Sequence, residues 1–447
     1  MERLSLVIEK LQLFIIAACN KCDTVIPNAY ASFLVYIQLS SQLKLLVPHE
    51  RDNLYHDCGT SYLLNNANDH SEKGKYDINM NAIDELKKIR RVLDYAIWAY
   101  FVDDLVYLNQ ELNNVGYTVL DSFVPTKPGF VGYYLAVNHE QKSVLIGVRG
   151  TYSLEEVFTD MSGLPVSLLD DEADMSSVRI EVSTLSVEDD KGVVMVESDN
   201  ENENSIRCHE GIYISTKRLL KQVEHHIEKL VVKSDYKLLI TGHSLGASAA
   251  CLLAILLRSK YYSLSKHNLE VIAFAPPPIL DHDTAIASIP YITSIVNNGD
   301  IIARISLSNL SVLLEFLKVV SNKLTEKGLA PNAGLVNARN YLQMLAQGDK
   351  GCPLFSIEEV RYHMKEAYDK VELRHPDHLY VPGRVLLLHQ DWEQQRQGVE
   401  SDITENVFCT VTDGAAKILR FVDVDGLRML SDHSTDAYAH ALDALCN

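Results

Sequence analysis

The residues Gly242-His243-Ser244-Leu245-Gly246 set a serine between two glycines, each two positions away. A serine hydroxyl is a weak nucleophile at neutral pH, so chemistry through it needs exposure, a general base and donors for a developing oxyanion. The pattern G-x-S-x-G meets the first need. A sharp turn from strand into helix presents the hydroxyl, and the flanking glycines keep side chains from colliding with the neighbouring strand and helix. A helix that starts at the nucleophile brings backbone N–H groups and its positive dipole end to the oxyanion. The N–H of Leu245, directly after the serine, is the expected first donor. His243 sits on too tight a turn to aim its ring at the adjacent hydroxyl, so it is read as structural.

Such a pattern arises by chance in many proteins, and its surroundings decide its value. Here it interrupts the apolar stretch LLITGHSLGASAACLLAILL, whose length would otherwise suggest a transmembrane helix. Before the glycines the run LLIT is β-like, and after them ASAACLLAILL is helix-like without Gly or Pro. A helical run follows Gly211 (IYISTKRLLKQVEHHIEKLV) and a strand VIAFAP comes after, a strand-helix-strand frame that implies a parallel sheet. GYYLAV and SVLIGV, split by the polar NHEQK, read as a hairpin or neighbouring strand pair; ITSIV, RVLLLH, NVFCTV and ILRFVDV add further strands.

The expected architecture is therefore an α/β-hydrolase fold, a mainly parallel sheet with helices on both faces. Residues 1–125 read as a helical N-terminal region in which Ile83, Leu86, Ile89, Leu93, Ile97, Tyr100 and Phe101 mark one face. Residues 126–447 form the catalytic part, with the sheet beginning at Gly129 and insertions at about 161–207 and 310–377. The first insertion carries twelve acidic residues from Asp170 to Glu203 against only Arg179 and Lys191. The second is mostly helix-like and includes the turn-rich KGLAPNAG.

Composition narrows the classes of function. With 47% hydrophobic and 23% charged residues over 447 positions, the chain is globular and large enough to bury a sizeable core. A net charge of −19 and the lack of a basic patch exclude a nucleic-acid surface. Membrane contact would have to rest on apolar insertion rather than on a basic face. Eight scattered cysteines point to a reducing, cytoplasmic setting, and the single C-x-x-C of Cys19 and Cys22 is a poor zinc or redox signature. Glu9 and Lys10 break the apolar N-terminus, so no signal peptide is expected. An amphipathic helix fits that segment, either packed on the catalytic part or lying on a membrane as a peripheral anchor.

An α/β hydrolase orders its nucleophile, acid and base along the chain as Ser, Asp or Glu, then His. Asp300 ends the β-branched run ITSIV and so falls on a loop at the carboxyl end of a strand, where α/β sites collect. Asp281 and Asp283, after the preceding strand and its prolines, are rivals. The blocks VLIGVRGTYSLEEVFTD, CHEGIYISTKRLL, LLITGHSLGASAACLLAILL, VIAFAPPPIL, ITSIVNNGDIIARIS and MLSDHSTDAYAHAL, in that order, resemble the class 3 lipases, within them the diacylglycerol-lipase-like group. The resemblance runs from about Pro125 to the C-terminus.

The resemblance implies an acid at Asp300, in a G-D-x-x-x-R segment, and a base at His433 in LSDHSTDAY. His440 and His389 are then ordinary histidines on a helix face and beside a strand. It further implies a second oxyanion donor in Arg149-Gly150-Thr151, at Thr151, and supporting roles for Thr159, Asp160, His209 and Gly211; Asp432 is given no role. The implied reaction is hydrolysis of a lipid ester, diacylglycerol or a related acylglycerol first, through an acyl-enzyme with no metal or organic cofactor. A phospholipase or general carboxylesterase is the alternative, and a non-catalytic scaffold on the same fold is the reading from another class. The family's membrane-bound members begin with transmembrane helices, whereas no stretch of residues 1–125 is long and uncharged enough for one. The acidic insertion stands where class 3 lipases carry a lid, as a lid or as a solvated loop, and the second insertion is a candidate cover.

Overall fold

The computed structural model describes residues 62–65, 80–127, 129–151, 165–167, 206–326, 355–374, 378–390, 407–414 and 431–446, with the single positions 19, 25, 26, 32 and 419. Eleven strands lie among these residues: β1 (Tyr62–Asn65), β2 (Thr118–Phe123), β3 (Tyr133–Asn138), β4 (Ser143–Val148), β5 (Pro165–Ser167), β6 (Arg207–His209), β7 (Lys237–His243), β8 (Leu269–Phe274), β9 (Ile292–Asn297), β10 (Arg384–Gln390) and β11 (Val407–Asp413). Nine of them form one sheet in the order β1-β11-β10-β9-β8-β7-β4-β3-β2, and β5 pairs with β6 apart from it. The five central strands β10, β9, β8, β7 and β4 are mutually parallel. At the edges, β3 and β11 run against their neighbours on both sides, so seven of the nine strands point one way.

Alternation of side chains explains why both faces must be covered. Leu238 and Ile240 of β7, Val271 and Ala273 of β8, and Val144, Ile146 and Val148 of β4 share one apolar cluster with helix α4 (Leu245–Lys260) and helix α3 (Glu210–Ile227). The intervening Ile272 and Phe274, with Ile295, Leu386 and Leu388, face the opposite way onto helix α1 (Met80–Trp98) and helix α8 (Thr435–Cys446). A strand buried on both faces reads as a continuous apolar run, as LLIT and VIAF do. Parallel neighbours then need the crossover helices α3 and α4 that the chain supplies.

The sheet reaches further toward the N-terminus than the helical periodicity implies. Two strands lie before residue 126: β2 pairs with β3 at one edge, and β1 pairs with β11 at the other. Helix α1 buries Leu86, Ile89, Leu93 and Ala96 against the sheet. It is also tied to the strands by Lys88 with Glu270, 2.5 Å apart, and by Glu85 with Arg384. A 3.6-residue apolar period reports only that one side of a helix is covered, and here the cover is the sheet itself. Helix α2 (Leu105–Asn114), capped by Asp104, follows α1 and packs through Leu108 and Leu112 near β2 and β3.

Most of the acidic insertion lies outside the described residues, apart from β5, which pairs with β6. Cys22, Thr159, Asp160 and the KGLAPNAG segment also lie outside them. The second insertion contributes helix α6 (Leu307–Glu326) and helix α7 (Ile357–Arg374), packed on each other through Val312, Ala367 and Val371. Leu313, Phe316, Leu317 and Val320 of α6 join the main core. Among the described residues no helix is long and apolar enough to cross a membrane.

Candidate active site

Strand β7 ends at His243 and α4 begins at Leu245, leaving Ser244 alone to make the turn. Its backbone stands at φ 60°, ψ −129°, a region where a residue with a side chain persists only when its surroundings enforce it. The enforcement is visible at the glycines. A Cβ on Gly242 would lie 2.6 Å from the backbone of Gly246, and one on Gly246 would lie 2.7 and 2.8 Å from Arg149 C and Gly150 N. Those neighbours are backbone atoms that cannot swing aside, so both positions require glycine.

Asp300, the candidate acid, lies on the turn after β9. Asn298 adopts a left-handed φ of 44°, which asparagine tolerates well, and Asp300 N–H closes the turn onto Asn297 O at 2.9 Å. The buried Arg304 donates to the carbonyls of Asp300 (2.6 Å) and Asn298 (2.7 Å), which fixes the turn from below. The loop before α8 docks on this turn. Asp432 accepts from Gly299 N–H (3.0 Å) and Asn298 Nδ2 (3.1 Å), while Asn297 Nδ2 donates to the Asp432 carbonyl (3.0 Å). Docked this way, His433 lies between the acid and the elbow.

Its Nδ1 is 3.0 Å from Asp300 Oδ2 and 3.1 Å from Oδ1, and its Nε2 is 3.0 Å from Ser244 Oγ. A carboxylate only accepts, so the proton sits on Nδ1 and donates to Asp300; Nε2 is left to accept from the serine hydroxyl. Asp300 is fully buried, which opposes its charge. The charge and hydrogen bond of His433, the Tyr438 hydroxyl at 2.7 Å and the Ile302 N–H at 2.8 Å more than offset that, and its pKa lies below the ordinary carboxylate value. Tyr438 donates to Asp300 and accepts from Asn297 N–H at 2.9 Å. Burial, then the adjacent carboxylate, push its own pKa far up, so it remains a donor.

Leu245 opens α4, where a backbone N–H has no partner within the helix and can face an oxyanion. The Arg149-Gly150-Thr151 segment follows β4 and lies against the elbow: a Cβ on Gly150 would be 2.5 Å from the His243 carbonyl oxygen. Both expected donor segments thus border Ser244. Asp281 is occupied elsewhere, capping helix α5 (His282–Ala287) through Thr284 N–H at 2.9 Å, and Asp283 is exposed beside His282. His440 is exposed on α8, His389 of β10 lies 3.0 Å from Thr410 of the neighbouring β11, and His209 caps α3. Among the described residues no group of three or more His, Cys, Asp or Glu could hold a metal ion.

The sequence assigns no role at the site to Tyr438 or to the bond between His243 and His433, and it places Tyr100 only on an apolar helix face. Tyr438 follows His433 within one block, so a search of that block for a donor to the acid could have found it. Tyr100 reaches His243 across 143 positions, and nothing local marks it.

Residues 145–310, which include Thr151, Ser244 and Asp300 but not His433, match the family model described as Lipase (class 3). Diacylglycerol lipase-alpha of Rattus norvegicus is 27% identical over 227 residues, 48% of this chain and 17% of that protein. Diacylglycerol lipase-beta of Mus musculus is 25% identical over 330 residues, 70% of this chain and 44% of that protein. The chain therefore spans less than half the length of either relative. A solved lipase from Rhizopus microsporus var. chinensis is 15% identical, with a TM-score of 0.42 over 79% of this chain and 86% of the other. Residues 145–310 are similar to the class 3 lipase family, and the chain that carries them is similar to the diacylglycerol lipases.

Proposed function

We propose that this chain is a serine-dependent lipase that hydrolyses acyl esters of glycerolipids, diacylglycerol or a related acylglycerol first, through an acyl-enzyme. The observation that carries the reading is the unbroken line from Asp300 through His433 to Ser244, with contacts of 3.0 Å at each step. His433 takes the Ser244 proton as the hydroxyl attacks the ester carbonyl. The N–H groups of Leu245 and Thr151 hold the tetrahedral oxyanion, and His433 then protonates the departing alcohol. Water, deprotonated by the same imidazole, cleaves the acyl-enzyme. Asp300 keeps the imidazole in the required tautomer and stabilises its charged form. The acylglycerol preference rests on the similarity to the diacylglycerol lipases, because a triad acts on the acyl group and leaves the alcohol to pocket shape.

Purified protein should be labelled by a fluorophosphonate at Ser244 and should hydrolyse at least one of diacylglycerol, triacylglycerol, monoacylglycerol, phospholipid or a short nitrophenyl ester. Ser244→Ala should remove the labelling and lower hydrolysis by about 10⁶-fold. Labelling that survives this substitution would overturn the nucleophile. Phospholipid as the preferred substrate would overturn the acylglycerol assignment and leave the triad standing.

A further inference from the structure

Behind Ser244 and His433, two side chains and a backbone carbonyl from distant parts of the sequence line up. Tyr100, in the short helical turn Ala99–Phe101 after α1, sets its hydroxyl 3.0 Å from His243 Nδ1. His243 sets Nε2 2.9 Å from the carbonyl oxygen of His433. A carbonyl only accepts, so Nε2 carries the His243 proton and Nδ1 must accept from the Tyr100 hydroxyl. The two rings of His243 and His433 lie side by side, centroids 4.6 Å apart at 33°. The ring also stays neutral around neutral pH: burial first, then the neighbouring His433, push the His243 pKa down to about 3.

The same tyrosine borders the other half of the site. A Cβ on Gly150 would lie 2.5 Å from the Tyr100 hydroxyl and 2.5 Å from the His243 carbonyl, so Gly150 is held between them. Elbow, base loop and oxyanion segment therefore meet at one pair of side chains. Placement of a base and its donors is worth a great deal in rate, since a shift of about 1 Å can cost about 10²-fold.

We propose that Tyr100 and His243 are positioning residues: one hydrogen-bonded line through them sets the His433 backbone relative to Ser244 and holds the Gly150-Thr151 segment on the elbow. This role rests on the serine-hydrolase reading, and the two side chains act through His433 rather than on the ester. Elbow histidine and distant tyrosine are then one device, and the donor on Nε2 is its essential atom.

The test uses the full chain with three substitutions. Tyr100→Phe removes one oxygen, His243→Leu keeps bulk without a donor, and His243→Gln offers an amide N–H near the place of Nε2. kcat and KM on a soluble nitrophenyl ester, the rate of fluorophosphonate labelling at Ser244 and Tm are measured for each, with rates corrected for the folded fraction. His243→Leu should lose about 100-fold in kcat and labelling rate with KM within about twofold, and His243→Gln should recover about tenfold of that loss. Tyr100→Phe should lose about tenfold in kcat.

Folded His243→Leu with wild-type kcat overturns the proposal, as does His243→Gln no better than His243→Leu. Should His243→Leu fail to fold, Tyr100→Phe decides: an unchanged kcat there overturns the line. A wild-type chain inert to both probe and esters is a different result; it removes the hydrolase reading, and this proposal with it.

Discussion

A buried histidine that stays neutral makes stability depend on pH, with a sign set by which state binds more protons. In the unfolded chain His243 titrates at its ordinary 6.5, and in the folded chain burial and His433 bring it to about 3. Between those values the unfolded state holds the extra proton. The contribution of neutral His243 is complete above 6.5 and is lost progressively as pH falls toward 3. The slope from this one group is at most about 1.4 kcal/mol per pH unit. Asp300 behaves differently, because its pKa lies below 3.8 in the folded chain and its contribution fades only under more acid conditions. Urea unfolding from about pH 7 to about pH 4 should therefore show a shallower loss of stability in His243→Gln than in the wild type. Parallel curves would mean that His243 does not titrate as its surroundings dictate.

At the scale of elements, the elbow is a junction of parts that each have another reason to exist. Strand β7 is central in the sheet, α4 is buried along nearly its whole length, and the proposed oxyanion segment directly follows β4, the neighbour of β7. Helix α1 holds the other face of the same strands and delivers Tyr100 at its end. Leu93 is fully buried there among Ile272, Phe274, Ile295 and Leu386. Leu93→Ala should lower the unfolding free energy by about 2–5 kcal/mol, read from the denaturation midpoint with the slope unchanged. A loss under about 0.5 kcal/mol would mean that α1 adds little to the sheet.

Over the whole molecule, the consequence concerns where the folding unit begins. A chain begun at residue 126 would lack α1, α2 and the edge strands β1 and β2. It would uncover the part of β8, β9 and β10 that α1 covers beside α8, together with Tyr134, Ala136 and Leu145 near the other edge. Apolar surface of that extent is not tolerated on a soluble monomer. Such a chain should aggregate on expression, whereas one begun at residue 60 keeps every described strand of the large sheet. A soluble, cooperatively unfolding product from residue 126 would show the preceding segment to be an accessory.

How much of this was legible in the sequence varies with the range of the interaction concerned. The elbow could be read because its signal is local: a serine between two glycines and a change of period from strand to helix. Asp300 could be placed at a strand end for the same reason, while His433 came from resemblance alone, since local pattern left His440 and His389 beside it. The strands β1 and β2 escaped notice because β1 is four residues long and β2 is a part-exposed edge, too weak to outweigh the helical periodicity around them. Sequence by itself determined the turn that lifts Ser244 and the place of Asp300 at the end of a strand. Only the tertiary structure decided that Tyr100, His243, His433 and Tyr438 meet there, because hydrogen bonds across 138 to 190 positions leave no mark in local composition.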